Sequence, residues 1–160
     1  MSEIRKLVED DLDDAVRIVG DAYPGWKIVS AADREKFKEQ MSVRLRQDPT
    51  AALYGLFRDG TLLGTMALHD FVMNFLGTRL PVGGVGLVAV ALDHKKEHVA
   101  KEMMAHFLRH CRAQGQPLAA LYPFRPDFYR KMGFGYGTKM NEYRVRPDDF
   151  PRGASRAQVR

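Results

Sequence analysis

The stretch "VAVALDHKKEHVAKEM", residues 88–103, sets six ionisable side chains in a row, Asp93, His94, Lys95, Lys96, Glu97 and His98, between an apolar run and the start of a helical pattern. Three chemistries are open to such a run. A strand that feeds a helix N-terminus can hold an anion, because the free N–H groups of the first turn point outward and carry partial positive charge. Lys95, Lys96 and Lys101 would supply cations beside a pyrophosphate, although the usual glycine is missing from the turn. The string His94-Lys95-Lys96-Glu97-His98 also matches the H-x-x-E-H pattern of inverted-motif zinc hydrolases. That chemistry needs both imidazoles one turn apart on an established helix, whereas His94 falls in the turn itself, so no metal is expected. The third possibility is a solvated helix start that binds nothing.

A second stretch, "LAALYPFRPDFYRKMGFGYG", carries Tyr129. A phenol is neutral at pH 7 and can donate a hydrogen bond to a group that is gaining negative charge, as a general acid must. A tyrosine beside Phe128 and Met132 also suits a packing role. His106 and His110 lie one turn apart beside an apolar stripe and read as surface. Cys111 lies on that stripe and reads as a small buried hydrophobe.

The elements that must position these groups follow from periodicity. "EIRKLV" reads as a strand, and "DDLDDAVRIVGDAY" as a helix with Leu12, Ala15, Val16 and Val19 on one face. Ser30 and Asp33 form a capping box for a second helix, in which Phe37, Met41 and Leu45 recur every fourth residue. "AALYGLFRDGTLLGTMALHDFVM" is a hairpin turning at Asp59-Gly60, and "FLGTRLPVGG" reads as a connection to the strand that ends near Val90. A helix to about Gln114 buries Val99, Met103, Phe107 and Cys111, with Ala100, Met104 and Leu108 beside them. "QPLAALYPF" is read as a strand, "PDFYRKMGF" as a short helix ending at Gly133, and "YGTKMNEYRVRP" as a last strand. The order β-α-α-β-β-β-α-β-α-β describes an α/β (α+β) chain with a single mixed sheet and helices on both faces.

At 160 residues a single compact domain is expected, and no apolar run approaches the length of a membrane span. The N-terminus is too acidic for a signal peptide, and one cysteine cannot form an internal disulfide, so a reducing cytoplasm is the expected compartment. The 25 basic and 20 acidic side chains leave a net charge of +5, which favours an anionic partner. They alternate along the chain without a long basic arm, so neither nucleic acid nor membrane is the expected partner.

With these residues in view, the chain resembles the GCN5-related N-acetyltransferases (GNAT). The resemblance rests on the strand ending near Val90, the basic turn after it, and "FYRKMGF". Within that family, "ALYPFRPDFYRKMGFGYG" is similar to the N-terminal domain of the enhanced-intracellular-survival acetyltransferases. The resemblance implies a mostly antiparallel twisted sheet with a splayed central strand pair, a domain over residues 1–150, and a tail or linker over 151–160. It implies that acetyl-CoA is the co-substrate, its pantetheine arm pairing with the backbone of Val88, Ala89 and Val90. Its pyrophosphate would sit at Lys95, Lys96, Glu97, His98, Val99, Ala100 and Lys101. His98 stands where the family has glycine, so the cradle is altered at its tightest point. The imidazole there either donates to a phosphate oxygen or marks weakened binding. Tyr129 matches the family's general acid toward the CoA thiolate, and Trp26, Phe37, Met66 and His69 stand at acceptor-pocket positions. The acceptor implied is a primary amine on a small molecule or a lysine side chain; aminoglycosides and polyamines are examples, and self-association into a homo-oligomer stays open. In the enhanced-intracellular-survival enzymes the base is the carboxylate at the end of a much longer chain, which this sequence is expected to lack. The alternative is a degenerate domain, binding CoA weakly or not at all, that serves as a structural unit of a larger assembly.

Overall fold

In the computed structural model, residues 2–137 and 141–149 are described. The chain divides into two compact units, Met1–Arg125 and Pro126–Arg160. The first unit is a five-stranded sheet in the order β1 (Ser2–Lys6), β2 (Ala51–Arg58), β3 (Thr61–Phe75), β4 (Thr78–Val90), β5 (Leu118–Leu121). The first three pairings are antiparallel and the last, β4 with β5, is parallel. No described helix is long and apolar enough to cross a membrane.

Helix α1 (Leu12–Ala22) buries Leu12, Ala15, Val16, Ile18 and Val19. With α2 (Ala31–Gln47) it covers one face of the sheet, packing on Leu53, Phe57, Leu62, Ala67 and Ala89. Ser30 caps α2 in the expected box: its hydroxyl accepts from the Asp33 amide at 3.1 Å, and the Asp33 carboxylate accepts from the Ser30 amide at 3.0 Å. Helix α3 (Val99–Ala113) covers the other face and buries Val99, Met103, Met104, Phe107 and Cys111. Gly64 lets that helix approach, since a Cβ there would stand 3.0 Å from both Met103 and Val99. Phe107 is fully buried, and a cavity left by truncating such a side chain costs about 3–5 kcal/mol. His106 and His110 are not plain surface residues. Both are half-buried against Tyr54, with ring centroids 5.4 and 6.1 Å away.

Two expectations need correction. The segment expected to connect into the 88–90 strand is itself strand, because β3 and β4 form one long hairpin turning at Leu76 and Gly77. Both turn residues have positive φ, 50° and 86°, as does the pair Asp59-Gly60 of the β2–β3 hairpin. This is the backbone of the two-residue turns that match strand twist. The expected sixth strand falls partly on residues 138–140, outside the described residues. The described residues 141–146 form no strand, and their Tyr143 and Val145 are exposed, with no face buried to hold a strand in register.

In the second unit, α4 (Pro126–Arg130) ends in the hydrogen-bond pair of a Schellman cap, Phe134 N–H to Tyr129 C=O and Gly133 N–H to Arg130 C=O. Gly133 takes the left-handed position at φ 94°, as the Gly-Phe pair in the sequence requires. The tail expected over 151–160 lies outside the described residues.

Candidate active site

Strand β4 carries the site because its pairing changes partway along. It pairs with β5 only from Val82 to Val85, so residues 86–90 continue with no described strand on that side. On the other side Thr65 pairs with Ala89 and Ala67 with Gly86, which leaves Leu87 and Val88 together opposite the single residue Met66. This is a β-bulge, and Leu87 takes a left-handed backbone at φ 50° within it. The Leu87 carbonyl accepts from the Thr65 hydroxyl at 3.4 Å, and the Val88 carbonyl from the Tyr23 hydroxyl at 3.2 Å. Burial pushes the Tyr23 phenol above its ordinary pKa, so it remains a donor. The expected splay is therefore a parting of β4 from β5 beyond Val85, with the Leu87 and Val88 carbonyls each held by a hydroxyl.

Beyond β4 a short 3-10 turn (Leu92–His94) leads into the basic run. Lys96 and His98 both take left-handed backbone, at φ 76° and 64°, and His98 is the residue that precedes α3. The imidazole thus occupies a backbone conformation that glycine adopts without strain. Among the described residues, the amides of His98, Val99, Ala100 and Lys101 have no acceptor; the first helical bond is Glu102 N–H to His98 C=O. Successive free amides beside left-handed residues form an anion-binding concavity. Lys95 and Lys96 are exposed at its rim.

Glu97 is ion-paired at this turn. Its carboxylate lies 3.2 Å from His94 Nδ1 and 2.7 Å from Arg58 Nη1, and these partners hold its pKa below the usual carboxylate range. Arg58 also reaches the Glu97 carbonyl at 3.3 Å and Glu102 at 3.0 Å, tying the turn to β2. His94 sits in the 3-10 turn and His98 at the helix start, in different local frames. Among the described residues no three metal-ligating side chains converge.

On the α1/α2 face a pocket of about 360 Å³ is lined by Trp26, Phe37, Gln40, Met41, Arg44, Leu53 and Leu87. Tyr23 stacks on Trp26 at 5.2 Å and Trp26 meets Phe37 edge-on at 5.7 Å, so an aromatic row runs from the Val88 carbonyl to the pocket. Of the four residues expected at an acceptor wall, the structure brings Trp26 and Phe37 together at this pocket. Met66 lies elsewhere. It pairs with Tyr54 on the α3 face and is fully buried there, because strand alternation sends it away from the pocket. His69 shares the pocket's face but lies outside its lining. A larger concavity, about 640 Å³, opens where β2 begins and has Lys6, Glu9, Arg46, Tyr54 and His110 among its walls. In the second unit Tyr129 is buried, 4% exposed, with Phe128 and Phe134 edge-on at 5.1 and 6.1 Å.

The fold that carries this bulged strand and its turn of free amides is found in known proteins. The chain belongs to the GNAT acetyltransferase family: residues 3–137 match the acetyltransferase (GNAT) domain. It is similar to the N-acetyltransferase Eis of Mycobacterium bovis, 30% identical over an alignment of 133 positions that covers 78% of this chain and 33% of the relative. A probable N-acyltransferase from Enterococcus faecalis superposes with a TM-score of 0.66 at 25% identity, over 83% of this chain and 32% of that one. A predicted acetyltransferase from Clostridium acetobutylicum, solved with acetyl-CoA, shares the fold with a TM-score of 0.70 at 13% identity, covering 90% and 96%. The chain spans a third or less of the length of the curated relatives it matches.

Tyr23, Leu87, Arg58 and Arg44 went unremarked in the sequence. Tyr23 stands in "YPGW", whose proline and glycine signal only a helix end. A bulge leaves no mark in an apolar strand, and the Arg58–Glu97 pair joins residues 39 positions apart.

Proposed function

We propose that residues 1–150 form an N-acetyltransferase domain that moves an acetyl group from acetyl-CoA to a primary amine by direct attack, with no covalent enzyme intermediate. The edge of β4 at residues 86–90, which no described strand covers, carries this proposal together with the amides of residues 98–101, which have no acceptor among the described residues. The pantetheine arm would pair with that edge. The pyrophosphate would lie at residues 95–101, with Lys95, Lys96 and Lys101 as counter-charges. Tyr129 would protonate the departing thiolate, a role that rests on its place in "FYRKMGF".

The acceptor would enter the Trp26–Phe37 pocket. Arg44 is the charged residue of that lining and repels a second ammonium group. A monoamine with an apolar or acidic body therefore fits better than a polyamine or an aminoglycoside. His98 favours one competing proposal, a domain that holds CoA weakly and acts as a structural unit, because an exposed imidazole crowds the cradle.

Incubation with acetyl-CoA and a panel of monoamines, polyamines and aminoglycosides tests both, with thiol release and product mass as readouts. Acetylated monoamines in excess over polyamines are expected. Thiol release no faster than without protein, for every amine, would overturn the transferase proposal.

A further inference from the structure

On the pocket's face of the sheet, β4 presents two residues without side chains, Gly84 and Gly86. His69 of β3 pairs opposite Gly84. The Phe71 ring fills the space above Gly84, so a Cβ there would collide with it. The His69 ring stacks parallel to Phe71, with centroids 5.5 Å apart and planes 8° apart. Above Gly86 the space is open. A Cβ placed there would have a single neighbour within 4 Å, His69 Nε2 at 3.7 Å. Gly86 directly precedes the Leu87–Val88 bulge, and Leu87 is a wall of the acceptor pocket. Neither ring nitrogen of His69 has a hydrogen-bond partner among the described residues.

We propose that His69 Nε2 is the general base that accepts the proton of the attacking amine, the space above Gly86 being where that nitrogen stands. This rests on the transferase proposal above. The uncharged amine attacks the thioester carbonyl carbon, so that a C–N bond forms and the nitrogen becomes cationic. Nε2 takes one proton from that nitrogen, the C–S bond breaks, and the thiolate leaves to be protonated by Tyr129 or solvent. The imidazolium then returns its proton to water.

A base must be unprotonated to act. The charged groups facing His69 are Arg44 of α2, Asp48 after α2, and Asp70 of its own strand. Burial first, and then Arg44, lower its pKa against the opposite pull of Asp48 and Asp70. The ring is therefore in its acceptor form at pH 7, and activity is lost as pH falls through a value below about 6.5.

The test compares pH profiles of kcat and kcat/KM for the full chain and for His69→Gln, with CoA affinity measured alongside. The amine's own ionisation is common to both proteins, so only the difference between the profiles is read. His69→Gln should lower kcat about 10²-fold, remove the acidic limb, and leave CoA affinity within about twofold. His69→Ala, which vacates the space, should regain activity with added imidazole. An active wild type whose acidic limb and kcat survive in His69→Gln would overturn this role alone. A wild type that transfers acetyl to no amine would overturn it together with the transferase proposal.

Discussion

The hydroxyl of Tyr23 donates to the carbonyl of Val88 across 3.2 Å, joining residues 65 positions apart. This bond fixes the end of α1 to the bulge in β4, and the same ring stacks on Trp26 of the pocket. Tyr23→Phe keeps the stacking and deletes the donor. Loss of one such bond should cost about 1 kcal/mol and lower the melting temperature by about 2–4 °C. An unchanged melting curve would show that the bulge holds itself.

His98 is left-handed at φ 64°, so two effects of its side chain can be separated. His98→Gly removes both backbone strain and the imidazole; His98→Ala removes only the imidazole. The glycine variant should gain about 1 kcal/mol of stability, and both should bind CoA more tightly than wild type. Weaker CoA binding in both variants would make the imidazole a phosphate ligand instead.

Sequence periodicity identified the elements that bury one face, and these survive well: the Leu12–Val19 stripe, the Ser30–Asp33 cap and the Val99–Cys111 stripe are all present. The strand-to-helix turn was legible because it is contiguous. What could not be read was set by strand pairing. Met66 and His69 are three residues apart in one strand, yet they face opposite sides of the sheet. The reach of the β3–β4 hairpin was hidden by Pro81 and three glycines, which look like a loop but lie in β4. The partner of Glu97, Arg58, comes from another strand.

Asp11 supplies an acid-sensitive anchor for the first helix. Its carboxylate takes both arms of Arg5, at 2.7 and 2.8 Å, and the Val8 amide at 2.8 Å. The Arg5 hydrogen bond, and then the Val8 amide, depress its pKa against the opposing effect of burial. A carboxylate whose folded pKa is depressed stabilises the fold above its unfolded value, about 3.9, and loses that contribution as pH falls through the folded value. Asp11→Asn should therefore cost about 1 kcal/mol at pH 7, discounted because Arg5 is partly exposed. The gap from wild type should close below pH 3 in urea titrations; a gap independent of pH would remove the ion pair from the account.

Tyr129→Phe keeps the ring between Phe128 and Phe134 and removes the phenol. If that phenol protonates the leaving thiolate, kcat should fall about 10²-fold while CoA affinity holds, because only a transition-state interaction is lost. Unchanged kcat with a lower melting temperature would assign Tyr129 to packing.

The central claim is that acetyl-CoA lies along the open edge of β4 with its pyrophosphate on the turn into α3. Titrating the isotope-labelled full chain with CoA while following backbone amides by NMR tests this directly. Saturable shifts concentrated at residues 86–90 and 95–101 are expected, with the amides of Val99, Ala100 and Lys101 moving furthest. Saturable shifts confined to other segments, or no shift at millimolar CoA, would contradict it.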